Sequence, residues 1–292
     1  MAERFPISLI RAREVALITP HMVRVTFDGP GLAGFVPVAP DQQVRLCFPR
    51  PGQVVPRLPE PRADGDPARW YHAYLAMPED ERPWMRTYTI RSHDPVRRTV
   101  DIDFVLHGDA GPASRWAMAV EPGDVLGMVG PTRVFARPIA IGDTPDVSGP
   151  ILLAGDETAL PAIGALLEWF TAGTVVTAFI EVADRHERQE LTSRADVTVH
   201  WVHRNGVPAG LSDALPRAVA EAEFPSGPVF AWLAGEARTV RALRRHLING
   251  RGLDRRSIDF TGYWRLTLTP DDPPTTADLA DFADQAAAGA GS

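Results

Sequence analysis

The rhythm of the chain changes near residue 150, and that change limits the possible folds more than any single motif does. Before it, short runs bounded by Gly and Pro are β-branched or alternate apolar with polar residues: 8–13, 21–28, 43–48, 85–92, 99–106 and 124–128. In 21–28, Val23, Val25 and Phe27 alternate with Arg24, Thr26 and Asp28. A strict period of two buries one face of a strand and wets the other, as in an antiparallel barrel. After it, strand-like runs at 150–154, 174–182, 197–203, 228–234 and 257–261 alternate with helical spacing over 160–172, 211–223 and 237–249. That alternation predicts a parallel sheet with crossover helices. At about 150 residues per domain, a chain of 292 residues has room for both.

The expected organisation is a β-barrel domain over 1–137, a polar Gly-, Pro- and Asp-containing linker over 138–149, an α/β domain over 150–265 and a tail over 266–292. Residues 50–83, crowded with Pro, Asp and Arg, read as an insertion between barrel strands, with local order only over 70–75. Loops of that length tend to be functional or disordered. In the Ala- and Asp-rich tail, 277–288 fits either a terminal helix or a frayed end.

Composition excludes whole classes of chemistry. With 30 basic and 37 acidic residues the net charge is −7, which argues against nucleic acid as a partner. No apolar run reaches the roughly 18 residues of a spanning helix, and the first residues lack a signal-peptide core. A cytoplasmic, monomeric protein without membrane insertion is expected. Cys47 is the only cysteine, so intrachain disulfides and four-cysteine iron–sulfur clusters are impossible. Every basic residue is Arg, which removes lysine Schiff bases, P-loop lysines and biotinyl or lipoyl carriers. The histidines show no metal-ligand spacing, so no metal site is expected.

Three stretches carry chemistry. Arg86-Thr87-Tyr88-Thr89-Ile90-Arg91 ends a strand and combines an aromatic ring, a hydroxyl and two cations. A flavin needs these: a ring against the isoalloxazine, a hydrogen bond near N5, and positive charge for the pyrophosphate. An ordinary strand with surface arginines fits the same string. Residues 101–117, DIDFVLHGDAGPASRWA, read as strand, turn and helix, with Gly111, Pro112, Ala113 and Ser114 at the helix start, where free N–H groups can hold an anion. His107 suits a turn as well as a cofactor contact. Gly155-Asp156-Glu157-Thr158-Ala159 follows the first strand of the α/β half, the position at which a dinucleotide rests its pyrophosphate. GxGxxG is missing there, and acids beside a phosphate equally suit helix capping. Ala234-Gly235-Glu236 ends a later strand at the ligand-binding edge of such sheets.

RTYTIR, DFVLHGDAGPASRWA, AGDETALPAI, WLAGEA and GYWR, in this order over roughly residues 11–265, closely resemble the siderophore-interacting protein family of FAD-dependent ferric-siderophore reductases. The resemblance implies a ferredoxin-reductase-like fold: an antiparallel FAD-binding barrel followed by a parallel-sheet NAD(P)-binding α/β domain. It implies that Arg86, Tyr88, Thr89 and Arg91 hold the flavin, with Tyr88 on the ring and Thr89 near N5. Asp103, Val105, His107 and Gly111 to Ser114 would line the rest of FAD. Asp156, Glu157, Thr158, Ala159, Gly235 and Glu236 would face the nicotinamide dinucleotide. Arg45, in place of the family's usual lysine, would meet an anionic ferric siderophore, and Arg133 and Arg265 are further substrate candidates that suit a solvated surface equally.

The implied reaction moves electrons from NADPH or NADH through FAD to Fe(III)-siderophore, and it needs no catalytic acid, base or nucleophile from the protein. Two other readings remain: a flavin diaphorase serving a redox-protein partner, and a non-catalytic siderophore-binding protein. Glu181 and Asp184 would suit a ribose 2′-hydroxyl, hence NADH, whereas Arg185, Arg188 and Arg204 would suit a 2′-phosphate. The resemblance favours NADPH. Tyr263 and Trp264 suit either a flavin-shielding or a core role.

Overall fold

The computed structural model describes residues 7–37, 39–60, 66–107, 111–130, 149–224 and 227–289. The chain divides into two compact units, Met1–Ala136 and Arg137–Ser292.

The first unit is built on β1 (Ile7–Thr19), which is longer than its sequence pattern predicts because it serves two partners. Its first residues pair antiparallel with β7 (Val125–Val129), and residues from Arg11 onward pair with β2 (Met22–Asp28). Irregular register between Ala12 and Glu14 bends the strand between these pairings. β3 (Gln43–Phe48), β4 (Trp84–Thr89), β5 (Ser92–Asp94) and β6 (Thr99–Val105) complete an antiparallel seven-stranded sheet in the order β4-β3-β7-β1-β2-β6-β5. The alternation read in 21–28 is realised. Val23, Val25 and Phe27 point into the core with Leu46, Ile102 and Phe104, while Arg24 and Thr26 face outward.

The run at 85–92 does not form one strand. The N–H of Ile90 donates to Gln42 O at 2.9 Å, whereas that of Arg91 donates to Asp101 O at 2.8 Å, so consecutive amides bond opposite ends of the sheet. Ile90 and Arg91 thus carry the chain from one sheet edge, β4, to the other, β5. Within the insertion, α1 (Pro67–Leu75) begins after Asp66, whose carboxylate accepts from the Ala68 N–H at 2.9 Å. α2 (Pro112–Ala119) packs on β6 through Ala113 and Ala117. Residues 131–148, which include all of the expected linker 138–149 except Gly149, lie outside the described residues.

The second unit is a parallel sheet of β8 (Ile151–Asp156), β9 (Val175–Val182), β10 (Asp196–His203), β11 (Phe230–Glu236) and β12 (Ile258–Trp264), ordered β10-β9-β8-β11-β12. α3 (Leu160–Trp169), α4 (Ala214–Glu221) and α5 (Ala237–Arg251) are the crossovers. α4 is shorter than its pattern because Gly210 takes a left-handed φ of +76° and Ser212 and Glu181 accept from the amides of its first turn. The chain runs outward from β8 to β10 and then returns to the other side at β11. β8 and β11 therefore flank the switch point, where ligands of open α/β sheets bind. The tail forms α6 (Thr276–Gly289), a helix rather than a frayed end.

Candidate functional site

In the first unit, alternation along β4 sends Arg86 and Tyr88 to one face and Thr87 to the other. Tyr88 is half-buried, its ring 4.6 Å from that of Phe104 and 6.2 Å from that of Phe48. Trp116 of α2 closes this aromatic bed at 5.5 Å from Phe104. Burial drives the Tyr88 hydroxyl pKa well above the usual phenol range, with the Arg86 charge opposing only in part, so the group stays neutral. Thr89 is buried and pairs with Gln43, while Arg86 and Arg91 stay half-exposed on either side.

α2 opens beside this strand end. Gly111, the residue before α2, provides no side-chain cap, and the first turn of any helix has no intrahelical acceptors for its N–H groups. A Cβ placed on Gly111 would meet no described atom within 4 Å. The Ser114 hydroxyl accepts from the His107 N–H at 3.3 Å and ties β6 to the helix, with the His107 side chain left exposed. Four motif positions, Arg86, Tyr88, Thr89 and Arg91, are brought to one strand end, and Phe104 and Trp116 join them to α2. Phe48, Phe104 and Trp116 were missed from sequence; the DFV and RWA strings carry two of them.

Other expected residues stand elsewhere. Asp103 is held by a bidentate pair with Arg24, at 2.6 and 2.8 Å, on the face of β6 away from Phe104; its carboxylate neutralises Arg24. Val105 shares that outward face. Arg45 lies opposite Thr87, on the face of the β3–β4 pair that Tyr88 does not use. Arg265 bonds Asp278 at 2.9 Å and the carbonyls of Thr269, Asp272 and Pro273, so it clamps the tail. Arg133 lies outside the described residues.

In the second unit the GDET turn and the AGE turn meet at the switch point. Asp156 is buried, and each of its oxygens takes two donors: Thr158 N and Oγ1 on one, Glu236 N and Trp264 Nε1 on the other, all at 2.5–2.9 Å. Gly235 makes room for this carboxylate, and Gly155 for the close approach of β11. A Cβ on Gly155 would lie 2.6 Å from Ala234 O, and one on Gly235, at φ +134°, 2.6 Å from Asp156 Oδ2. Burial, chiefly, and the Glu157 charge raise the Asp156 pKa. Glu157 grips Arg204 at 2.5 and 2.7 Å, and Glu181 accepts from Ser212 and Leu215. Glu236 caps α5 by accepting from the Arg238 and Thr239 amides. The acids that look misplaced beside a phosphate are thus taken up by protein donors. Trp264 belongs to this network through its indole N–H.

Residues 149–267 match the model of the siderophore-interacting protein family, and residues 11–135 match its siderophore-interacting FAD-binding domain. The chain belongs to the siderophore-interacting protein family. A solved siderophore utilization protein from T. fusca is 36% identical, with a TM-score of 0.74 over 92% of this chain and 97% of that one. The ferric vibriobactin reductase ViuB of Vibrio cholerae is 29% identical over 85% of each chain. The NADPH-dependent ferric-chelate reductase of Escherichia coli is 27% identical over 87% of this chain and 93% of its own.

The residues of this family member fit FAD. Tyr88 is a ring with one side bedded on aromatics. β4 is a sheet edge, whose outward backbone groups suit the polar rim of a flat heterocycle. Two half-exposed arginines and an uncapped helix start suit a pyrophosphate. Among the described residues no cluster of His, Cys, Asp or Glu could hold a metal ion, and no helix is long and apolar enough to cross a membrane.

Proposed function

We propose that this chain is an NAD(P)H-dependent ferric-siderophore reductase that carries FAD, working in the cytoplasm where reduced nicotinamides are available. The observation that carries the reading is the RTYTIR strand end, which crosses between the two sheet edges and presents Tyr88 half-exposed on an aromatic bed. Siderophores hold iron through hard oxygen donors that favour Fe(III) over Fe(II), so one added electron loosens the metal. FAD, when bound, supplies the conversion of a nicotinamide hydride pair into single electrons.

The protein's share is binding and electrostatics. Tyr88 offers a flat, uncharged face, and burial pushes its hydroxyl pKa further up from the ordinary phenol value. Arg86, Arg91 and the first-turn amides of α2 balance the pyrophosphate, and buried Thr89 offers a hydroxyl to the reacting edge. Asp156 holds the GDET turn, the AGE turn and Trp264 in one arrangement at the switch point. No side chain needs to give or take a proton in this reaction.

NADPH is the favoured reductant. Glu181 and Arg204 are taken up by Ser212, Leu215 and Glu157, so neither is left to read the ribose. Beyond β9, Arg185 and Arg188 remain exposed, and Arg188 donates only to His203 among the bonds described, at 3.1 Å. These two suit a 2′-phosphate, and the Escherichia coli relative is named for NADPH.

The test is an absorbance spectrum of the purified protein, followed by NADPH- and NADH-driven reduction of ferric siderophores with a ferrous-iron trap. Copurified FAD and trapped Fe(II), formed faster with NADPH, are expected. A protein that neither carries nor accepts FAD, or one that reduces redox proteins but no ferric siderophore, overturns the reading.

A further inference from the structure

The carboxyl ends of β9 and β10 lie side by side on the ligand-binding edge of the second sheet. Val182 pairs with His203, and the amides of Arg204 and Asn205 donate to Val182 O and Ala183 O, both at 3.0 Å. β10 is an edge strand, so His203 has a neighbouring strand on one side only. After β9 the chain makes one short turn, Arg185–Glu187, capped by Asp184, whose Oδ1 accepts from the His186 N–H at 2.7 Å. This turn brings Arg188 back to the end of β10, where its Nε donates to His203 Nε2 at 3.1 Å.

That bond fixes both partners. A ring nitrogen that accepts carries no proton, so His203 is the neutral imidazole with its proton on Nδ1. Burial and the Arg188 charge lower its pKa, and the Asp184 carboxylate opposes them only in part, so the accepting form prevails at neutral pH. Arg204, the next residue, is turned to Glu157, and Glu187 is buried. With Nε tied to the imidazole, the plane of the Arg188 guanidinium is set and its two Nη groups stay free to grip an anion. A planar fork set in advance loses less freedom when it takes a phosphate than a swinging side chain does. Arg185, exposed on the same turn, makes no bond among those described and is not set in this way.

We propose that His203 is a positioning residue for the choice of reductant: it holds the Arg188 guanidinium ready for the 2′-phosphate of NADPH. The inference rests on the NADPH reading above and adds to it a residue of the neighbouring strand. NADH carries a 2′-hydroxyl instead, and gains little from a preset cation.

The test uses the full FAD-loaded chain and calorimetry with two probes, adenosine 2′,5′-bisphosphate and 5′-AMP, which differ in the 2′-phosphate alone and take no electrons. The wild type is expected to bind the bisphosphate at least about tenfold more tightly. His203→Leu should weaken the bisphosphate about two- to tenfold and move 5′-AMP less than about twofold. His203→Gln, whose Oε1 can accept from Arg188, should stay within about twofold of the wild type. In an Arg188→Ala background His203→Leu should cost less than about twofold more, because the histidine acts through that arginine. In turnover, His203→Leu should raise the KM for NADPH and leave kcat and the KM for NADH in place. Equal loss in the Leu and Gln variants, loss of both probes together, no loss in the Leu variant, or full additivity with Arg188→Ala overturns the positioning role. A wild type that binds the two probes equally, or binds neither, overturns it together with the NADPH reading. Probe binding that follows these expectations, in a protein that yields no Fe(II) from any ferric siderophore, overturns the reductase reading and leaves the role of His203 standing.

Discussion

α6 docks through charge rather than apolar contact, and that makes its stability calculable. Asp278, Asp281 and Asp284 recur along one face and meet arginines of α5 and Arg265, which follows β12. Arg241 bonds Asp278 at 2.6 Å and Asp281 at 2.7 Å, Arg244 bonds Asp284 at 2.8 Å, and Arg265 bonds Asp278 at 2.9 Å. Leu279 and Phe282, the large apolar residues of the helix, are exposed. Asp278 also accepts from Thr275 N and Oγ1, both at 2.8 Å. Burial alone would raise its pKa, but the Thr275 and Arg265 hydrogen bonds overcome this and hold it at about 2, against an ordinary 3.8. At about 1.36 kcal/mol per pH unit the interval is worth about 2.5 kcal/mol, which screening at this partly hydrated site lowers toward about 1–2 kcal/mol. Because the folded pKa is depressed, this stabilisation is complete above 3.8 and is lost as pH falls toward about 2. Asp278→Asn removes it at neutral pH while keeping the shape. Hydrogen exchange of residues 276–289, read by mass spectrometry, should then speed up by about five- to thirtyfold. Acidification of the wild type, after correction for intrinsic exchange, should reproduce the effect. Exchange within twofold of the wild type in the variant, or protection indifferent to acid, would refute charge docking.

Asp156→Ala orphans the N–H groups of Glu236, Trp264 and Thr158 at about 1–3 kcal/mol each, so chemical denaturation should show a loss of at least about 3 kcal/mol; a loss below about 1 would contradict the hub. The Asp156 pKa is raised, so its contribution is complete below the ordinary 3.8 and declines as pH rises through the folded value. Asp156→Asn should therefore flatten stability against pH on the mildly acidic side, and parallel curves for variant and wild type would count against this. Gly235→Ala forces a Cβ to 2.6 Å from Asp156 Oδ2 at a φ of +134°, and a cost of about 2–4 kcal/mol should appear as a lower Tm and a raised nicotinamide KM. Tyr88→Ala should weaken FAD binding at least about tenfold by flavin fluorescence titration while Tyr88→Phe retains it, and equal affinities for all three proteins would remove the ring from the site.

Period-two alternation in the first half and strand–helix alternation in the second are local properties, set by which neighbours a residue must bury with. They were enough to predict a barrel, an α/β unit and most element positions, down to a strand over 43–48 that matches β3 residue for residue. The motif strings likewise placed Tyr88 at a strand end and Asp156 at a turn. Partners distant in sequence were not legible. Asp103 is claimed by Arg24, Arg265 by Asp278, and Glu157 by Arg204, because strand register and helix docking bring those charges together. The break at Ile90 depends on Gln42 and Asp101 lying at opposite ends of one sheet. Which face of β4 each side chain takes, and that β8 and β11 are neighbours, follow from sheet order. Burial pattern is written in the chain itself, whereas the pairing of polar groups waits on the register that folding creates.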